Sequence, residues 1–146
     1  MPYSPLSKTR ILDILAATRT IALVGASAKP ERPSWRVMQF LLNAGYTVLP
    51  VNPGLAGKRI LDQPVHADLE TLPQPVEMVD VFRSSDACPA LARQAVAIGA
   101  KTLWLQEGII SEEAATIAAE AGLDVVMDRC TKRDIEANPE RFPNVS

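Results

Sequence analysis

Five short apolar runs punctuate the chain, at residues 20–25, 47–51, 78–82, 102–106 and 125–128, and they are nearly continuous rather than alternating in polarity. A strand with one face in water alternates, whereas a strand covered by helices on both faces is apolar throughout. The runs therefore predict a parallel sheet buried between two helical layers. Amphipathic stretches at 34–44, 89–98 and 112–121 supply helices, and each ends at a glycine, Gly45, Gly99 or Gly122, suited to the left-handed turn that closes a helix. Pro89 fits a helix's first turn, where its missing N–H has no partner to lose. Ser7 is placed to cap a leading helix that carries Ile11, Leu12, Ile14 and Leu15 at helical spacing, and residues 131–138 predict a terminal helix. Residues 53–75 are proline-rich and aperiodic, which predicts a long surface connection with at most a short edge element.

Strands and helices in this alternation define a doubly wound α/β domain, whose ligand crevice is expected at the carboxyl ends of the strands, where the strand order reverses. In the expected order the first strand lies beside the fourth, which brings loop 25–34 next to loop 106–111. At 146 residues and 47% hydrophobic, the chain is long and apolar enough to form one domain over 1–146, with its core at 10–136, without disulfides or metal.

Several function classes fall away on composition. No uncharged apolar run reaches the roughly 18 residues needed to span a bilayer, and the N-terminus lacks a secretory pattern, so a soluble cytoplasmic protein is expected. Cys88 and Cys130 show no C-x-x-C spacing, and the lone histidine, His66, has no cysteine or carboxylate cluster around it, so no metal site is expected. The net charge of −2 argues against general nucleic-acid affinity. Its distribution is uneven: residues 1–60 carry eight basic and two acidic side chains, net +6, and residues 61–146 carry seven and fifteen, net −8. The positive part holds the strongest ligand motif.

That motif is the turn from the first strand into its helix, Gly25 to Ser34, reading GASAKPERPS. Gly25 permits a tight turn, Ala26 and Ser27 are small enough for a phosphate to approach the backbone, and Ser34 is expected to cap a helix whose N–H groups and dipole attract an anion. Lys29 and Arg32 add full charges at the same mouth. Together these residues describe a pyrophosphate cradle. Against the dinucleotide fingerprint G-x-G-x-x-G only Gly25 matches, with Ser27 and Pro30 in the other glycine positions. The second strand ends in Asn52-Pro53, where a nicotinamide enzyme places an acid for the ribose hydroxyls. A basic loop without that acid favours a ligand richer in phosphate than NAD, and coenzyme A, with its pyrophosphate and extra 3′-phosphate, fits.

The runs VGAS-x-KPERPS, VLPVNP, VDVFR, LWLQEGI and VVMDRC, in this order at strand ends, resemble the stand-alone CoA-binding protein family, which is similar to the N-terminal CoA-binding domain of the succinyl-CoA synthetase α subunit. The resemblance covers roughly residues 10–136. It implies a Rossmann-like fold and a site for CoA or an acyl-CoA in which Gly25, Ala26, Ser27 and Lys29, with Arg32 and Ser34, meet the phosphates. By the same resemblance Asn52 and Pro53 are expected to border the adenosine, and Phe82, Arg83 and Ser84 together with Gln106, Glu107, Gly108 and Ile109 to wall the pantetheine arm, with Arg83 alternatively serving the 3′-phosphate. Ligase activity does not carry over, because the half bearing a phosphorylatable histidine is not in this sequence and His66 matches no such position. No catalytic set is identified.

Cys130 reads in two ways: as a thiol near the CoA sulfur, its pKa lowered by Arg129 or Lys132, or as a buried structural cysteine. Cys88 reads as a packing or capping residue, Trp104 as core, and Trp35 as a packing residue, with a cover over ligand or a subunit contact as its alternative. Glu107 is the one carboxylate of the crevice able to serve as a base, and without a partner nucleophile it reads as structural or solvated. The alternatives to a CoA-binding module are an NAD(P)-binding oxidoreductase domain, an acyl-CoA ligase subunit that needs a partner chain, and an interaction protein with a degenerate pocket.

Overall fold

The computed structural model describes residues 3–143. Helix α1 (Lys8–Ala17) opens the fold, with the Ser7 side chain accepting from the Arg10 N–H at its start. There follow β1 (Thr20–Val24), α2 (Pro33–Asn43), β2 (Thr47–Val51), the hairpin β3 (Arg59–Ile60) and β4 (Gln63–Pro64), β5 (Met78–Val81), α3 (Cys88–Ala97), β6 (Thr102–Leu105), α4 (Glu112–Glu120), β7 (Asp124–Val126) and α5 (Thr131–Glu136). The five main strands form one parallel sheet in the order β2-β1-β5-β6-β7. This is the Rossmann-like doubly wound domain that the apolar runs predict.

Side chains of the sheet leave alternately to two cores. Ile21, Leu23, Met78 and Trp104 pack with α1, α2 and α5, while Ala22, Val24, Val79, Val81, Leu103 and Leu105 pack with α3 and α4. Trp104 is fully enclosed and spends its indole N–H on the Arg129 carbonyl at 2.7 Å, so it packs as expected. No helix of the described residues is long and apolar enough to cross a membrane.

The strand order corrects one expectation. β1 lies beside β5, the third main strand in sequence, and not beside β6, the fourth. The reason is in the proline-rich connection. Residue 66 forms an isolated parallel bridge with Val51 on the outer edge of β2, its N–H donating to the Pro50 carbonyl at 3.0 Å and its carbonyl accepting from Asn52 at 2.9 Å. That one-residue bridge occupies the place a full edge strand would take. The chain then returns across the sheet to lay β5 on the other side of β1. The connection is also less superficial than its composition suggests, because Ile60, Val65 and Leu69 are buried.

Candidate ligand-binding crevice

The turn after β1 is shaped by one close approach. Gly25 has φ +87°, a region costly for L-residues, and a Cβ placed there would stand 2.5 Å from the Phe82 carbonyl oxygen. Backbone therefore passes against backbone where β1 and β5 end. The amides of Gly25 and Ala26 both donate to the Val51 carbonyl, at 3.0 and 3.3 Å, which stitches the turn to β2 and leaves neither amide free for an anion. The amides of Ser27, Ala28 and Ser34 have no such backbone partner among the described residues. Asn52 ties the same turn from below: its Nδ2 donates to the Ala26 carbonyl and its Oδ1 accepts from Gly54, both at 2.8 Å.

Helix α2 begins one residue earlier than expected. Pro33 is its first residue and Arg32 its N-cap, so Ser34 lies inside the first turn, buried, and forms no cap. The proline's preset φ and missing N–H suit that first position and displace the serine from the capping role. No side chain caps α2, so its N-terminal dipole and the Ser34 amide face the crevice unneutralised.

These elements enclose a cavity of about 700 Å³ at the carboxyl end of the sheet. Of the residues singled out in the sequence, Gly25, Ala26, Ser27, Lys29, Arg32, Ser34, Asn52, Phe82, Arg83, Ser84, Gln106, Glu107, Ile109 and Cys130 line it. Loops 25–34 and 106–111 thus meet across one cavity although β5 separates their strands. Two residues fall outside the lining. Pro53 opens a short turn that reaches the lining through Leu55 and not through the proline, and Gly108 uses its N–H to bind Asp128 Oδ1 at 2.7 Å, clamping loop 106–111 to the end of β7. Val37, Leu55 and Arg133 also line the cavity and had no distinguishing motif.

Charge is distributed unevenly along the lining. Lys29, Arg32 and Arg83 take part in no ion pair among the described residues, whereas Arg133 reaches Glu107 at 3.3 Å across the opposite side. Glu107 is therefore held by a cation. Cys130 lines the cavity, but burial pushes the pKa of its thiol up, against the lowering expected from neighbouring cations. Those cations are engaged elsewhere. Arg129 makes two bonds to the Asp134 carboxylate at 2.9 and 2.7 Å, and Lys132 pairs with Glu136 and lies over the Phe40 ring. Cys88 is fully enclosed and packs, as expected.

Beneath Gln106 lies a residue that the sequence reading missed. Asp80 of β5 is wholly buried, and its carboxylate accepts from Gln106 Nε2 at 2.7 Å, with the Thr131 hydroxyl 3.5 Å from its other oxygen. Burial raises its pKa to about 7, against the lowering effect of those two hydrogen bonds. An aspartate inside a four-residue apolar strand, MVDV, was the available signal.

Residues 19–136 match the family described as CoA binding domain. The chain belongs to that family. It is 36% identical over 126 residues to the uncharacterized protein YneT of Bacillus subtilis, covering 86% of this chain and 92% of that one. A hypothetical protein from Pyrococcus horikoshii OT3 superposes with a TM-score of 0.87 at 37% identity, covering 94% of this chain and 97% of that chain. A dinucleotide-forming acetyl-coenzyme A synthetase of Ca. Korarchaeum cryptofilum, at TM-score 0.66 and 22% identity, matches 78% of this chain with 27% of its own length and shares the fold.

Proposed function

We propose that this member of the CoA-binding domain family holds coenzyme A or an acyl-CoA in the crevice, with the diphosphate on the turn between β1 and α2, and acts as a binding module. The observation that carries this reading is the pairing of an uncapped helix start with three cations, Lys29, Arg32 and Arg83, that have no ionic partner among the described residues. Unneutralised N–H groups and unpaired cations around one cavity suit a highly charged phosphate ligand. Coenzyme A brings more phosphate charge than NAD. Asn52 supports the same choice, because both ends of its amide are committed to the protein and nothing at the end of β2 is left to hold a ribose diol as an acid would. In the lining, Glu107 is bound by Arg133 and the thiol of Cys130 is kept protonated by burial, which fits binding better than turnover.

Calorimetry with CoA and with NAD tests the reading. CoA is expected to bind, NAD to bind weakly or not at all, and Ser27→Trp to abolish CoA binding by filling the turn. Binding of NAD without measurable binding of CoA overturns it.

A further inference from the structure

We infer that Asp80 and Thr131 act as positioning residues that lock the side-chain amide of Gln106 with its carbonyl oxygen toward the crevice, so that the site selects a ligand carrying an N–H donor at that point. The inference rests on the binding reading above and names a determinant of specificity within the same site.

The geometry is a closed hydrogen-bond network. Gln106 lies at the end of β6, is almost completely buried, and lines the cavity. Its Nε2 lies 2.7 Å from Asp80 Oδ1 and 3.3 Å from Thr131 Oγ1, so both amide hydrogens have acceptors on the protein side. The Thr131 hydroxyl in turn lies 3.5 Å from Asp80 Oδ2, where its own proton is directed. An ionised carboxylate only accepts, which decides the amide's orientation: the NH₂ end turns inward and the oxygen is left over. Oε1 accepts from no group among the described residues. Nor is it sealed in, since His66 Nε2 is the single enclosed side-chain nitrogen or oxygen without a partner among them. The crevice is therefore offered one fixed, unpaired acceptor on a buried side chain.

An acceptor of this kind rewards a donor and penalises its replacement, because a ligand atom with lone pairs facing Oε1 displaces water and gives nothing back. Of the parts of coenzyme A, the pantetheine arm carries two amide N–H groups. Three residues of widely separated sequence position, on β5, directly after β6 and on α5, are needed to hold the acceptor in place, which explains an aspartate in the middle of an apolar strand.

The test compares CoA with two analogues, each having one pantetheine amide N–H replaced by an ester oxygen, by calorimetry at about pH 8, above the pKa of about 7 to which burial raises Asp80. The unaltered protein is expected to bind one of the analogues about tenfold more weakly than CoA. Gln106→Met is expected to weaken CoA by a similar factor and to bind all three ligands alike. Asp80→Asn frees the amide to turn over and is expected to reduce the discrimination severalfold while adenosine 3′,5′-bisphosphate, which lacks the arm, binds unchanged. Lys29→Ala is expected to weaken CoA and both analogues equally, preserving the ratio. If the unaltered protein binds both ester analogues as tightly as CoA, or if Asp80→Asn keeps full discrimination, the inference is wrong although the site still binds CoA. Failure of the unaltered protein to bind CoA at all overturns the binding reading and this inference with it.

Discussion

Replacing Gly25 by alanine separates two costs that the structure sets at this position. The first is conformational: at φ +87° an L-residue is disfavoured by roughly 1–2 kcal/mol. The second is steric, because the added methyl would stand 2.5 Å from the Phe82 carbonyl oxygen and 2.9 Å from its carbon, and the obstacle is backbone rather than a side chain able to swing away. Forced overpacking of this kind costs about 1–3 kcal/mol. The total of about 2–5 kcal/mol corresponds to a fall in Tm of roughly 6–15 °C for a domain of this size. Gly99 supplies the control: it has φ +77° but nothing within 4 Å of its would-be Cβ, so Gly99→Ala carries the first cost alone, about 3–6 °C. Thermal unfolding followed by circular dichroism, without ligand and in one buffer, reads both. Equal melting temperatures for the two variants would refute the close passage of the β1 turn against the end of β5, and with it the shape of the crevice.

Three further outcomes follow from the same structure. Lys29→Ala should weaken CoA by about fivefold, on the order of 1 kcal/mol, with the difference shrinking as salt is raised in a calorimetric series, because the contact is exposed. Asn52→Ala removes the ties to Ala26 and Gly54 and should lower stability by about 1–2 kcal/mol in urea unfolding while loosening CoA binding. Asp80 has a folded-state pKa of about 7, above its unfolded value, so its contribution is full at low pH and is lost as pH rises through 7. Denaturation between about pH 4 and 8 should show this decline, and Asp80→Asn should flatten it.

Much of this molecule is legible in its sequence because its strands are covered on both faces. Continuous apolar runs and the glycines at 45, 99 and 122 locate the sheet and the helix ends, and strand ends locate the crevice wherever the strands fall in order. What the sequence hides is long-range or stereochemical. The bridge at residue 66 is a single pair, without a periodic pattern to betray it, yet it decides which strand neighbours β1. Ser34 looks like a helix cap until Pro33 is seen to begin the helix, and the amides of Gly25 and Ala26 look bare until the Val51 carbonyl is placed beside them. Arg133 and Leu55 reach the cavity only through folding, and the cations flanking Cys130 are drawn off by partners at Asp134 and Glu136. Asp80 is visible in the sequence, but its role depends on Gln106 and Thr131, which lie 26 and 51 residues away.

A crystal structure grown with coenzyme A tests the central claim most directly. The diphosphate should sit at the start of α2, within hydrogen-bond reach of the Ser27 and Ser34 amides, with Lys29 and Arg32 turned toward it and the pantetheine arm running past Gln106. A ligand bound away from this turn, with those amides and cations still facing solvent, would contradict the account.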